Sequence, residues 1–153
     1  MRISAWRLVR AELATHAFEG EGARLYGGRW NPPGWSAVYA ASSRALAVLE
    51  VLAHLPKPLR NAAFALHRVE FDEAELETLG AATLPGDWTQ YPPAAGTQEA
   101  GRRWLERGER AVLAVPSVLL PEERNFVFNP RHPAFAQLRP HRERLFFFDP
   151  RLG

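Results

Sequence analysis

Residues 37–56 read AVYAASSRALAVLEVLAHLP, and their pattern changes once along the way. Residues 37–41 are a short apolar, β-prone run. Ser42 or Ser43 then offers a side-chain acceptor to the free amides of a helix start, and Pro56 cannot continue a helix. The segment therefore predicts a strand followed at once by a helix over 44–55. At about 100° per residue, Ala45, Leu49, Leu52 and Ala53 fall in a wide arc beside Leu46. Val48 and Leu55 extend that arc, and Ala47 and Val51 make much of the opposite side apolar too. A helix apolar almost all round is predicted to be buried. Only Arg44, Glu50 and His54 break the pattern. Glu50 lies about 40° from Leu46, and His54 follows one turn later on the same side.

A carboxylate is costly to bury unless it is paired, so Glu50 has two readings. In one it is a structural group, paired with His54 or an arginine. In the other it projects from the helix into a cleft and marks a site. Two further stretches bear on the choice. Upstream, residues 20–34 form a glycine-rich loop containing Gly27-Gly28-Arg29-Trp30-Asn31. Glycines let backbone N–H groups approach a ligand, an arginine beside them can hold a phosphate through two bonds, and Trp30 and Trp35 offer flat faces. The loop fits neither a dinucleotide fingerprint nor a P-loop, and its composition suits any surface loop. Downstream, Ser117 follows an apolar strand at 111–115 and precedes Asn125. No G-x-S-x-G elbow surrounds Ser117, which removes support for a serine-hydrolase triad.

Composition narrows the field. The chain has 153 residues, 46% hydrophobic and 24% charged, enough for one globular domain over 1–153. No apolar run approaches the roughly 20 residues of a membrane span, and MRISAWRLVR has no apolar signal core, so a cytoplasmic protein is expected. There is no cysteine, which excludes disulfides, thiolate zinc sites and a cysteine nucleophile. Histidines at 16, 54, 67, 132 and 141 show no ligand spacing, so no metal is expected. All but one of the 19 basic residues are arginine, Lys57 being the exception, but the net charge is only +2. That is too weak to argue for direct nucleic-acid binding.

The rest of the chain predicts strands over 3–9, 62–71, 111–115, 125–128 and 145–148. Residues 84–96 are irregular, and a second helix runs over 97–107 with Thr97 as cap and Gly108 as stop. In the 62–71 strand, Phe64, Leu66 and Arg68 share one face, opposite Ala65, His67, Val69 and Phe71. Many short strands with two clear helices give an α+β domain with a curved, mostly antiparallel sheet and flanking helices.

Taken together, GEGARLYGGRWNPPGWSAVYAASSRALAVLEVLAHLP (20–56), VPSVLLPEERNFVFNPRHPAF (115–135) and the terminal FFDPRL closely resemble the RES domain family. The weaker block from Thr97-Gln98 to Trp104-Leu105 also fits. The letters that name the family fall on Arg29, Glu50 and Ser117, and Tyr39 matches its aromatic position. The resemblance implies an ADP-ribosyltransferase-like fold and a toxin of a bacterial toxin–antitoxin pair that consumes NAD⁺ as substrate, with no cofactor. It also implies an Xre-like helix-turn-helix antitoxin that covers the active site. On that footing Glu50 stabilises an oxocarbenium-like ribose, Arg29 holds the pyrophosphate or orients Glu50, and Tyr39 stacks on nicotinamide. Ser117 bonds the ribose or the nicotinamide amide, or braces Glu50. Gly28, Trp30, Asn31 and Asn125 are the remaining substrate-binding candidates. Modification of a specific protein target, or a non-catalytic binding module, are the alternatives.

Overall fold

Backbone pairing in the computed structural model, which describes residues 1–152, builds one seven-stranded sheet. In chain order the strands are β1 (Arg2–Arg10), β2 (Val38–Ala41), β3 (Phe64–Asp72), β4 (Leu76–Thr78), β5 (Val112–Pro116), β6 (Arg124–Phe128) and β7 (His141–Phe146). The helices are α1 (Glu21–Tyr26), α2 (Arg44–His54) and α3 (Ala95–Arg107). Across the sheet the strands run β4-β5-β6-β2-β1-β3-β7. Only β4 and β5 are parallel; the rest of the sheet is antiparallel, as the sequence predicts.

The two halves of the sheet join weakly. β1 pairs with β3 along its full length, from Arg2 opposite Asp72 to Arg10 opposite Phe64. With β2 it shares only Trp6 opposite Ala41. Beyond that pair a side chain continues the connection. Arg7 Nη1 donates to the Tyr39 carbonyl and its Nε to the Ala17 carbonyl, both at 2.7 Å. Burial without a carboxylate partner pulls this guanidinium down to about 10.

Strand alternation sorts the side chains into two faces. On one face Ala5, Val38, Ala40, Val69, Val112, Ala114 and a phenylalanine group form the larger core. The Phe71 ring stands edge-on to Phe126 and Phe128 at 5.3 and 5.6 Å. The opposite face carries α2 and α3. Leu8, Phe64 and Leu66 pack under Val48, Val51 and Leu52 of α2, while Leu113, Val115 and Val127 pack under Trp104 and Leu105 of α3. This division matches the two faces read for residues 62–71.

α2 starts as predicted: the Ser43 hydroxyl accepts from the Leu46 amide at 3.0 Å. It is not buried all round, however. Only Leu46 and Ala47 are buried, and Ala45, Ala53 and His54 are exposed. The helix lays its inner face on the sheet, and the small alanines on its outer side cost little to leave in water. Other boundaries also shift. Thr97 lies inside α3 rather than capping it, and its hydroxyl donates to the Ala94 carbonyl. Gly108 does end α3, with φ of 62°. The last strand begins at His141 and stops before Phe148, whose ring instead packs edge-on to Phe64 at 5.1 Å. β4 is a three-residue strand that the sequence pattern did not announce. Within the glycine-rich stretch, Gly20 and Gly27, both at positive φ, bracket the six-residue α1.

Candidate active site

Glu50 and Ser117 meet although 67 residues separate them. The Ser117 hydroxyl donates to Glu50 Oε1 at 2.7 Å and accepts from the Leu119 and Leu120 amides at 3.2 Å each. Ser117 is fully buried. With two N–H groups on its lone pairs, its proton is left for the carboxylate. The carboxylate is half-buried, and its second oxygen accepts no hydrogen bond from the described residues. Of the roles expected for Ser117, bracing Glu50 is the one the geometry displays.

Arg29 stands close enough for the Glu50 charge to act on it. Burial lowers the guanidinium below its ordinary value, and the Glu50 carboxylate pulls the other way. Arg29 is not a free arm: its Nη1 donates to the Trp88 and Gln90 carbonyls, both at 2.8 Å. Residues 84–94 are thereby tied to the site. Tyr91, on that segment, sets its ring 5.4 Å from the His54 ring, one helical turn beyond Glu50.

The glycine-rich loop is built differently from the expectation. The Tyr39 hydroxyl donates to Asn31 Oδ1 at 2.6 Å and accepts from the Trp30 amide at 3.0 Å. Burial pushes this hydroxyl well above its ordinary value, with the Trp30 N–H and the Arg29 charge opposing. Asn31 is fully buried, and its Nδ2 donates to the carbonyls of Ala23, Pro32 and Trp35. Asn31 therefore has no group left for a substrate and serves as a knot. Trp30 also departs from the expectation. Its ring is 2% exposed, packed with Trp104, Leu105 and Val127, so it is core and not a stacking surface. Gly28 is required for a neighbour other than a ligand. A Cβ there would stand 2.7 Å from the Tyr39 hydroxyl and 2.8 Å from Asn31 Oδ1.

Asn125 lies on β6 opposite both Ala41 and Val115, on the face of the sheet that carries Tyr39. Its Oδ1 is buried without a hydrogen-bond partner, which costs about 1–3 kcal/mol in an empty site. Three residues that hold the site escaped the sequence reading. Arg7 positions the Tyr39 backbone, and Gln98 of α3 donates to the Gly28 carbonyl at 3.0 Å. Gly101 sits where a Cβ would fall 1.6 Å from the Trp30 carbonyl. Gly101 did leave a signal, because glycine in a helix interior costs about 1 kcal/mol and marks a close approach. Arg7 left a weaker one, as a charge set between Trp6 and Leu8 in the middle of a strand. Among the described residues no three histidine or acidic side chains converge as metal ligands, and no helix is long and apolar enough to cross a membrane.

This arrangement has counterparts in known proteins. The RES domain family model matches residues 4–149. A protein of Yersinia enterocolitica named Toxin Res is 38% identical over 96% of this chain and 97% of its own length. One of Sphingobium, named Prs ADP-ribosylating toxin, is 36% identical over 99% of this chain and 98% of its own. Among solved structures, a chain of the M. tuberculosis MbcT–MbcA toxin–antitoxin complex shares the α+β fold. Its TM-score is 0.75 at 24% identity, covering 99% of this chain and 87% of that one. With the family model matched over residues 4–149 and a relative 38% identical along nearly the whole of both chains, the chain belongs to the RES domain family.

Proposed function

We propose that this protein is the toxin of a toxin–antitoxin pair and that it cleaves the nicotinamide–ribose bond of NAD⁺. The observation that carries the reading is the Ser117–Glu50 bond at 2.7 Å, which fixes a carboxylate by one oxygen and leaves the other open. Breaking the C1′–N bond sends its electron pair to nicotinamide and leaves an oxocarbenium-like ribose. A held carboxylate stabilises that cation without reorganising, and accepts from a ribose hydroxyl. Arg29, with Nε and Nη2 uncommitted among the described residues, holds the diphosphate. The half-buried Tyr39 ring rests against nicotinamide, while its hydroxyl stays in the Asn31 knot. The orphan Asn125 Oδ1 takes a donor from the ribose or the amide after a small shift. NAD⁺ is the substrate, no cofactor is needed, and the cytoplasm supplies it.

A second reading has its own support. The Sphingobium relative is named as an ADP-ribosylating toxin. In this chain the attacking group is water or phosphate in the first reading and a protein side chain in the second. Purified protein incubated with NAD⁺, with and without phosphate and cell extract, separates them by chromatography and mass spectrometry. Free nicotinamide with ADP-ribose or its phosphate supports the first reading, and a modified protein the second. Intact NAD⁺ under all three conditions overturns both. The partner proposed is an antitoxin with an Xre-like helix-turn-helix domain that covers the cleft. It leaves this weakly charged chain no need to bind DNA, and the solved toxin–antitoxin complex of the same fold supports an antitoxin as partner.

A further inference from the structure

The chemistry above uses nothing from residues 84–94, yet that segment is fastened to the site at two points. Arg29 Nη1 has two hydrogens, and the Trp88 and Gln90 carbonyls take both at 2.8 Å. Nε and Nη2 make no hydrogen bond with the described residues and remain for an anion. One guanidinium thus anchors the segment with one nitrogen and keeps two for a diphosphate, so the segment and the anion share a side chain. The second point is Tyr91, whose ring lies 5.4 Å from that of His54 with 33° between the planes. His54 follows Glu50 by one turn of α2, so the Tyr91 ring is held against the helix that carries the carboxylate.

Tyr91 has no structural reason to be aromatic. It is 69% exposed and belongs to none of the apolar clusters of the core. A large ring left in water, placed by two hydrogen bonds to its own segment and backed by an imidazole, is a surface prepared for another flat ring. We propose that residues 84–94 form a strap belonging to the substrate surface, with Tyr91 as a substrate-contacting residue that stacks on a heterocycle of the dinucleotide. This rests on the NAD⁺ reading, and adds a residue that lies outside the family motifs quoted above.

The test is steady-state NAD⁺ consumption by wild type, Tyr91→Ala and Tyr91→Phe, with melting temperatures in parallel. A lost ring stack corresponds to about a tenfold weaker hold on the base. Tyr91→Ala should therefore raise KM for NAD⁺ about tenfold with kcat within about twofold. Tyr91→Phe should restore the wild-type KM, and all three should melt alike. An unchanged KM in Tyr91→Ala, a Phe variant as impaired as Ala, or a fall in kcat alone overturns the inference and leaves the substrate reading standing. A folded wild type that does not consume NAD⁺ overturns both.

Discussion

Two loops of this chain have nearly the same composition and opposite physical fates. GGRWNPPGW (27–35) and GDWTQYPPA (86–94) each carry glycine, a proline pair and tryptophan. In the first, Trp30 is core, Asn31 is a buried knot and Gly28 lies against the Tyr39 hydroxyl. In the second, Tyr91 is mostly in water and Trp88 only partly buried. Its fixed points are the carbonyl bonds to Arg29 and the Tyr91–His54 ring contact. The difference lies in what each loop lands on. The first is pressed between β2 and α3, where every polar group must find a partner. The second lies mostly in water and touches the site through Arg29 and His54. A loop's composition says that it turns; its neighbours decide whether it is scaffold or surface.

The comparison breaks most visibly at glycines. Gly101→Ala drives a Cβ to 1.6 Å from the Trp30 carbonyl, backbone against backbone. It should cost more than about 4 kcal/mol or prevent folding. Gly86→Ala has nothing within 4 Å of its Cβ and should stay within about 0.5 kcal/mol of wild type. Thermal and urea melts of the two variants measure this, and equal losses would end the distinction between the loops. Next in size is Ser117→Ala, which unpairs the Leu119 and Leu120 amides and frees Glu50. A stability loss of about 1–3 kcal/mol is expected, with kcat reduced at least tenfold, the two read by urea melts and NAD⁺ turnover.

Hydrogen exchange sharpens the contrast within the native protein. The Gly28 and Trp30 amides are bonded to the Asn31 carbonyl and the Tyr39 hydroxyl. The Trp88 and Gln90 amides close only local turns, onto Pro85 and Asp87. The first pair should exchange at least about tenfold more slowly than the second. The smallest effect serves as a control far from both loops. Burial, then the Arg7 and Arg142 charges, lowers the His67 imidazole below its ordinary value. The folded state thus favours the neutral ring. Its contribution is fully present above about pH 6.5 and is lost as pH falls through the depressed value. His67→Gln should reduce the stability lost on that acid limb by less than about 1 kcal/mol, read by urea melts across pH, and leave activity above pH 7 unchanged.

The local part of the fold was legible in the sequence. Ser43, the apolar periodicity and Pro56 placed α2 to within a residue of its end, and alternation placed β1 and both faces of β3. The carboxylate that broke an apolar helix already stood out, and the structure bonds it to the Ser117 that the motifs had singled out. Contacts between distant segments were not legible. No periodicity reports that Trp30 turns inward, that Arg29 reaches residues about 60 positions later, or that Arg7 bridges the place where β1 and β2 part. β4 is too short to leave a pattern. α2 misled because alanines on its outer side count as apolar in a periodicity but bury little.

In the proposed reaction Glu50, held by Ser117, stabilises the ribose cation as nicotinamide departs. Nicotinamide release from NAD⁺ by wild type and by Glu50→Gln, each shown folded by its melting curve, tests it most directly. Gln keeps the shape and the acceptor for Ser117 but removes the negative charge, so release should fall by at least about a thousandfold, some 4 kcal/mol of transition-state stabilisation. A folded Glu50→Gln protein that released nicotinamide at the wild-type rate would contradict the account.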